Sequence, residues 1–248
     1  MVATGAAALE VAERHGLAAP RLIAKDLDGR VAGVAASLET FVDGSTAWPG
    51  ASSSEPPAGP RSGRAARPEA VSDRRDWGRV AGAALAQIHA VALAPQPHLP
   101  FRPRPIAVDD FAADRREGRM PTTPLLQRAD ELIRSMPEPR DATVFVHGDV
   151  WFGNLLWAGD PRCVFIDWKT AGVGDPGVDL GELRKQLAIT YGPEATAGIV
   201  TGWEQATGRP ATDVAYWDAV AALNTPTDLG PMTARRDAFL RSALAQLS

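Results

Sequence analysis

Three short apolar runs lie close together past the middle of the chain. They are Val144–Val146, Leu155–Trp157 and residues 164–166. Apolar runs of this length, bounded by turn-forming residues, are typical of short buried strands. Residues 158–162, Ala-Gly-Asp-Pro-Arg, predict a turn between the last two runs. The region therefore predicts a strand–loop–strand–turn–strand unit, with polar side chains where the strands end.

The polar residues at these strand ends have the chemistry needed for phosphoryl transfer. Asp149 can orient and deprotonate a hydroxyl group. Asn154 and Asp167 can hold magnesium, a hard cation that prefers oxygen ligands and usually takes one or two carboxylates together with substrate phosphates. Asp149 alone would be more typical of a turn residue, but His147, Asp149, Asn154 and Asp167 all fall within one structural unit. We therefore treat them as a candidate site.

Three motifs together resemble the aminoglycoside phosphotransferase family. They are His-Gly-Asp-x-x-x-x-Asn at 147–154, Ile-Asp-Trp at 166–168 and Gly-Asp-Pro-x-x-Asp-Leu-Gly at 174–181. That family includes antibiotic kinases, choline-type kinases and other small-molecule kinases. The resemblance is close over 76–248 and looser over 6–44. It implies an α+β, protein-kinase-like fold, with a mostly helical carboxyl-terminal lobe and a small, truncated remnant of the amino-terminal lobe.

The resemblance also implies a role for each residue of the candidate site. Asp149 would be the catalytic base, and Asn154 and Asp167 would be the Mg²⁺ ligands. Asp179 matches the buried aspartate that supports the catalytic loop, and His147 matches the structural histidine of that loop. The cofactors implied are Mg²⁺ and ATP or GTP, and the partners are this nucleotide and a small-molecule acceptor.

A nucleotide-binding hinge is implied nearer the amino terminus. Residues 20–24 predict a strand, residues 26–29 a hairpin turn and residues 31–42 the returning strand. By resemblance, 35–44 is the hinge, and the backbone groups of Glu39 and Phe41 would meet the adenine edge. A plain edge strand is the alternative interpretation.

The acceptor is only weakly constrained by the sequence. Trp151, inside the catalytic loop, is the best aromatic candidate for stacking on a sugar ring or a cation. Several acidic residues are candidates for binding an amine, although each is also typical of a solvated helix: Asp110, Asp114, Asp213, Asp218 and Asp228. An aminoglycoside or a similar aminated sugar or alcohol fits this pattern, while macrolides and choline stay open.

One part of the family pattern has no counterpart in the sequence. The family begins with a Gly-rich strand–turn–strand and a strand lysine paired with a helix glutamate. No such unit precedes Ala6, Lys25 adjoins a predicted turn, and Glu10 falls too late on the first predicted helix. Two functions therefore stay open: an active small-molecule kinase, and a degenerate, catalytically impaired binding module with a kinase-like fold.

Composition limits the remaining classes of function. The formal net charge is −4, which favours neither a nucleic acid nor an anionic membrane as a partner. The single cysteine, Cys163, excludes an intrachain disulfide. We expect a cytoplasmic protein, because the sequence shows no signal peptide and no apolar run long enough for a membrane span. The oligomeric state is left open.

Apolar spacing and turn residues predict the domain organisation. We expect a partial amino-terminal lobe and hinge over 1–43, a Pro/Gly/Ser-rich loop or linker over 44–75, and a kinase-like carboxyl-terminal lobe over 76–248. Residues 169–174 predict a flexible loop, and His89 is interpreted as a helix-terminal histidine. The predicted helices are 6–15, 76–91, 108–119, 125–136, 175–191, 194–207, 213–223 and 233–247.

Overall fold

The computed structural model describes residues 1–48, 74–139, 143–158 and 163–247. Its α-helices are α1 (Val2–Arg14), α2 (Arg74–His89), α3 (Phe111–Arg116), α4 (Pro124–Ser135), α5 (Gly177–Tyr191), α6 (Ile199–Thr207), α7 (Val214–Leu223) and α8 (Thr233–Leu247). Its strands are β1 (Leu22–Asp26), β2 (Ala36–Glu39), β3 (Val144–Val146), β4 (Leu155–Trp157), β5 (Cys163–Phe165) and β6 (Gly172–Gly174). None of the helices seen in these ranges is long and apolar enough to cross a membrane.

The strands form small antiparallel pairs, and this helix-rich α+β arrangement confirms the predicted fold class. β1 pairs with β2, β3 with β6 and β4 with β5. The pairing of β3 with β6 shows that the flexible loop predicted for 169–174 is wrong. Residues Trp168–Thr170 form a 3₁₀ turn, and β6 is buried. Gly-Val-Gly carries no local strand signal, so tertiary pairing decides its conformation.

Helix α5 is the central element of the carboxyl-terminal lobe. Eleven of its fifteen residues are buried, including Asp179, Glu182 and Lys185. A helix buried on all sides belongs in a core rather than at a surface. Its first backbone amide, Gly177 N–H, donates to the Asp175 carboxylate at 2.8 Å, so Asp175 caps the start of the helix.

Glycines allow α2 and α6 to pack with their backbones in close approach. A Cβ placed on Gly82 would lie 2.0 Å from the carbonyl oxygen of Ile199, and one on Gly202 would lie 2.1 Å from the carbonyl oxygen of Arg79. Any larger side chain at these two positions would force the helices apart. The contact matters for the site because α2 ends at His89, which lies beside the catalytic loop.

The hairpin β1–β2 and helix α1 form the small amino-terminal part. The turn predicted after β1 is confirmed, since the carboxylate of Asp26 accepts backbone N–H groups from Arg30, Val31 and Ala32 at 2.8–3.0 Å. The returning strand is shorter than predicted and covers only Ala36–Glu39.

Most predicted helices are present with shifted ends, and two differ more. The helix predicted for 194–207 is interrupted at Gly198, whose φ is 87°, so a 3₁₀ turn at Pro193–Thr196 precedes α6. The helix predicted for 108–119 covers only Phe111–Arg116. Glycine adopts positive φ without steric cost, which explains why the chain changes direction at Gly198.

The start of the predicted linker packs against the carboxyl-terminal lobe. Ser45 exchanges backbone hydrogen bonds with Trp157 at 2.9 and 3.2 Å, and the buried Trp48 meets the Trp157 ring edge-on at 5.3 Å. Residues 44–48 therefore belong to the folded core rather than to a free linker. The remainder of the predicted linker up to residue 73, and residues 159–162 of the predicted turn, lie outside the described residues.

Replacing Gly82 by alanine tests the close packing of α2 and α6. The added methyl group meets backbone atoms that cannot rotate away, so we expect a loss of about 1–3 kcal/mol in the free energy of unfolding. This loss should appear despite a gain of about 1 kcal/mol in helix propensity. Urea denaturation measures the change.

The matched control is Gly5→Ala in α1. A Cβ there would lie no closer than 3.8 Å to its neighbours, which is ordinary contact. We expect this variant to be as stable as the wild type or more stable, by up to about 1 kcal/mol. Equal effects of the two substitutions would contradict the packing argument.

Candidate active site

The loop His147–Gly148–Asp149 between β3 and β4 is held by one buried carboxylate. Asp179 of α5 accepts the backbone N–H of His147 on one oxygen and that of Gly148 on the other, both at 2.8 Å. Asp179 is fully buried. Two charge-assisted hydrogen bonds in a buried setting fix the loop strongly. The structure therefore places Asp179 directly beneath the loop that carries Asp149.

Gly148 is required by the sharp turn of this loop. Its φ is 79°, in the left-handed region that favours glycine. A Cβ at this position would lie 2.5 Å from the carbonyl oxygen of Thr170. The loop can thus pass close to the 3₁₀ turn after Asp167 only because residue 148 has no side chain.

His147 joins the two halves of the site through its ring. Its Nδ1 accepts the backbone N–H of Asp149 at 3.3 Å, and its Nε2 lies 2.9 Å from the carbonyl oxygen of Ile166. Nε2 must then carry the proton, because a carbonyl only accepts. Burial lowers the pKa of His147 against the opposing effect of Asp179, so the ring is neutral. This neutral ring fixes the loop relative to the segment that leads to Asp167.

Asn154 lies between Asp149 and Asp167. Its Nδ2 donates to the main-chain carbonyl of Asp149 at 3.0 Å, and its own carbonyl accepts the N–H of Ile166 at 3.0 Å. The first hydrogen bond orients the side-chain amide of Asn154, so that its Oδ1 points away from the Asp149 carbonyl. The second places the start of β4 beside the end of β5. The structure thus brings the three residues of the candidate site together.

The carboxylates of this site interact electrostatically. The pKa of Asp149 is raised to about 6, first by burial and then by the charge of Glu182, with a further contribution from Asp167. Lys169 acts in the opposite direction. Asp167 follows β5 with a left-handed φ of 63°, and its carboxylate forms an ion pair with the Lys169 ammonium. A base whose pKa lies near neutrality suits proton transfer at physiological pH.

The oxygen donors present fit magnesium. Within the described ranges, no group of three or more His, Cys, Asp or Glu side chains could enclose a metal. A divalent ion held here would therefore use Asp167, Asn154 and oxygen atoms of its ligand. Magnesium is typically bound in this way, by few protein ligands together with substrate phosphates.

Two residues beneath the loop were not predicted as part of the site. His89 lies 3.1 Å from Asp179 through Nε2, and its Nδ1 accepts the Trp203 indole N–H at 2.9 Å. Because indole only donates, the His89 proton is on Nε2 and points to Asp179. His89 ends α2, as predicted, but its ring bonds to Asp179 and Trp203 rather than to the last carbonyls of its own helix. Its position after an apolar helical stripe was the available signal for burial.

The predicted hinge leads directly to the site. Thr40 N–H donates to the carbonyl of Arg21 at 2.9 Å, so the main-chain groups of Glu39 and Phe41 point towards the other edge of the hairpin. Gly44 packs so closely on Leu156 that a Cβ there would lie 3.1 Å away. The end of the predicted hinge at Gly44 therefore adjoins β4. The roles of Glu39 and Phe41 in nucleotide binding stay a prediction.

Trp151 lies at the mouth of the loop and is partly exposed. Its ring covers Gly153, where a Cβ would lie 2.4 Å from it, and meets Phe152 edge-on at 5.1 Å. Trp151 is therefore held by its neighbours while part of the ring faces solvent. Its contact with an acceptor stays a prediction.

Most acidic acceptor candidates already have local partners. Asp110 caps α3 by accepting Ala113 N–H at 2.9 Å. Asp218 is buried and receives three hydrogen bonds from Arg184 at 2.9–3.2 Å. Asp114 pairs with Arg119, and Asp228 accepts Gly230 N–H at 2.8 Å. These contacts favour the structural interpretation of these four residues.

The structure corrects the prediction for Lys25. This residue lies within β1 rather than beside the turn, and its ammonium forms an ion pair with Glu10 of α1. A strand lysine paired with a helix glutamate is thus present. Both side chains are nearly half exposed, and the contacts described for them join α1 to β1 only.

Residues 5–223 match the phosphotransferase enzyme family. The match includes the whole of the loop, the turn after Asp167 and helix α5. The chain belongs to the phosphotransferase enzyme family. A search of curated proteins gave no match.

Solved structures of this family share the fold. One, from Ralstonia eutropha and described as an aminoglycoside phosphotransferase, is 17% identical with a TM-score of 0.62, over 94% of this chain and 81% of that one. A macrolide 2'-phosphotransferase from Brachybacterium faecium is 19% identical with a TM-score of 0.57, over 99% and 78%. An AMP-bound spectinomycin phosphotransferase is 12% identical with a TM-score of 0.54, over 96% and 79%. These similarities establish the protein-kinase-like fold.

Removing the carboxylate of Asp179 tests its support of the loop. Asp179→Ala leaves two buried N–H groups and His89 without their acceptor, so we expect a loss of about 3–5 kcal/mol in stability. Urea denaturation measures the loss. Asp28→Ala in the exposed hairpin is the control and should change stability by less than about 0.5 kcal/mol. A similar effect of both variants would contradict this role.

The pH dependence of stability gives a second test of Asp179. Burial would raise its pKa, but the hydrogen bond from His89, the electrostatic effect of the two histidine rings and the Gly148 N–H together lower it. Its ionised form therefore contributes stability that is complete above the unfolded value of 3.8 and is lost as pH falls through the folded pKa. We expect the stability difference between wild type and Asp179→Asn to shrink on acidification. A stability difference that grows on acidification would contradict this role of Asp179.

Proposed function

We propose that this protein transfers the γ-phosphoryl group of ATP or GTP to a hydroxyl group of a small molecule. The observation that carries the proposal is the proximity of Asp149, Asn154 and Asp167, whose chain segments are held together by His147 and Asp179. Phosphoryl transfer asks little covalent chemistry of a protein, and it depends mainly on positioning and on neutralising charge. A rigid loop with converging oxygen donors supports that task.

Asp149 would accept the proton of the acceptor hydroxyl. The loop that carries it is fixed from below by Asp179, so the backbone position of Asp149 does not depend on the ligand. Its raised pKa makes it a stronger base than an exposed aspartate. Magnesium, when bound, would neutralise charge on the phosphates, and Asp167 and Asn154 are the residues that would hold it.

We propose an aminoglycoside or a similar aminated sugar or alcohol as the acceptor. Support comes from the partly exposed Trp151 ring, two residues after Asp149 in the chain, and from the carboxylates Glu182 and Asp167 that act on Asp149, because negative charge favours a cationic molecule. Some relatives of the same fold are named for aminoglycoside, macrolide or spectinomycin phosphorylation. A panel of such acceptors in a nucleotide-consumption assay tests this class.

The variant Asp149→Asn tests the catalytic base. It preserves shape but cannot accept a proton, so we expect turnover to fall by about 10²–10⁴-fold. Binding of the nucleotide, measured by calorimetry, should change little because Asp149 is proposed to act on the acceptor. The matched control, Asp28→Asn in the hairpin, should leave turnover unchanged. Wild-type turnover in Asp149→Asn would refute the assignment.

The variant Asp167→Asn tests the proposed magnesium ligand. Losing the anionic ligand should raise the Mg²⁺ concentration needed for half-maximal nucleotide binding by at least about 10-fold. Calorimetric titrations of ATP and GTP over a range of MgCl₂ concentrations measure this. Asp228→Asn, far along the chain in a capping role, is the control. An unchanged Mg²⁺ requirement would exclude Asp167 as a ligand.

A further inference from the structure

The backbone of Lys169 is fixed beside the candidate site. It lies in the 3₁₀ turn Trp168–Thr170, directly after Asp167. The Trp168 indole donates to the carbonyl of Phe165 at 3.0 Å, and its ring stacks on Phe145 at 5.4 Å. From the other side α1 packs against the turn, and a Cβ on Gly5 would lie 3.8 Å from the Cα of Lys169. The turn is thus held between the core and α1.

The side chain of Lys169, in contrast, is accessible. It is 45% exposed, and its ammonium lies on the Asp167 carboxylate, which is 38% exposed. Its charge also acts on Asp149. An ion pair with this exposure contributes little to stability, and a lysine side chain has a long, flexible stem. Lys169 can therefore exchange Asp167 for another anion at small cost.

The other two lysines have no described contact with Asp149 or Asp167. Lys185 is buried and donates to both oxygens of Glu182 at 2.7 and 2.8 Å. Lys25 pairs with Glu10 in the hairpin region. The chain contains three lysines, so Lys169 is the lysine placed at the catalytic carboxylates.

The charge of the site requires such a cation. Asp149 and Asp167 are both acidic, and the phosphate chain of a nucleoside triphosphate is itself a polyanion. Repulsion between these groups must be offset by positive charge within a few ångströms. Lysine binds phosphate as a compact point charge with three donors. In the free protein the Lys169 ammonium pairs with Asp167, the residue proposed to bind the divalent ion.

We propose that Lys169 binds the phosphate groups of the donor nucleotide, turning from Asp167 to the phosphate oxygens when the nucleotide enters. No covalent bond changes in this step. The inference rests on the proposed function, and it assigns a phosphate-binding lysine to the turn after Asp167, separate from the strand lysine Lys25 that pairs with Glu10.

Calorimetry with Lys169→Met and Lys169→Gln tests the proposal. The probes are ATP and GTP with MgCl₂, and adenosine and guanosine, which lack phosphates. For whichever base the wild type binds, we expect both variants to weaken triphosphate binding by about 10- to 100-fold. Nucleoside binding should stay within about twofold, since only the phosphate contact is lost. Lys169→Arg, which keeps the charge, should recover most of the triphosphate affinity.

The matched control is Arg30→Met, which removes one positive charge from the exposed ion pair with Asp28. It should leave triphosphate binding unchanged, and an equal loss in this variant would overturn the assignment to Lys169. If Lys169 were only a counter-ion for Asp167, its removal would leave triphosphate affinity equal or higher, which also overturns the proposal. A wild-type protein that binds neither nucleotide would overturn the proposed function as well.

Discussion

The site depends on the carboxylate of Asp179, which holds the backbone of the loop that carries Asp149. Two buried N–H groups and one imidazole converge on this side chain. A buried charge is tolerated only when its hydrogen-bonding capacity is filled, and here the loop itself supplies the partners. The geometry of the loop is therefore a consequence of burying a charged residue in α5.

This arrangement connects the packing of the lobe to the chemistry of the site. Helix α2 ends at His89, which donates to Asp179 and accepts from Trp203 of α6. The close glycine contacts between α2 and α6 set the distance between His89 and Trp203. A change in helix packing would thus reach the catalytic loop through three hydrogen-bonded side chains. Rigid support of this kind is what positions a catalytic base without help from the substrate.

Local sequence signals predicted the secondary structure correctly where a residue type strongly prefers one conformation. Short apolar runs predicted β3, β4 and β5, and Asp175 predicted the start of α5 within two residues. They failed where packing overrides local preference. The strand Gly172–Gly174 is held by tertiary contacts, because it pairs with β3 and Val173 makes backbone hydrogen bonds with Pro100 and Arg102 on its other edge. The surroundings of His89 also depend on tertiary packing, because its partners Asp179 and Trp203 lie 90 and 114 residues away in sequence.

The sequence by itself determined the family, the helix-rich α+β class and the residue types at the site, because spaced Asp, Asn and His residues between short apolar runs are a local pattern. Only the tertiary structure decided which partners those residues meet. It placed Asp179 under the loop, raised the pKa of Asp149 to about 6 and brought His89 to Asp179. These outcomes depend on burial and distance between remote segments, and neither quantity is encoded in residue spacing.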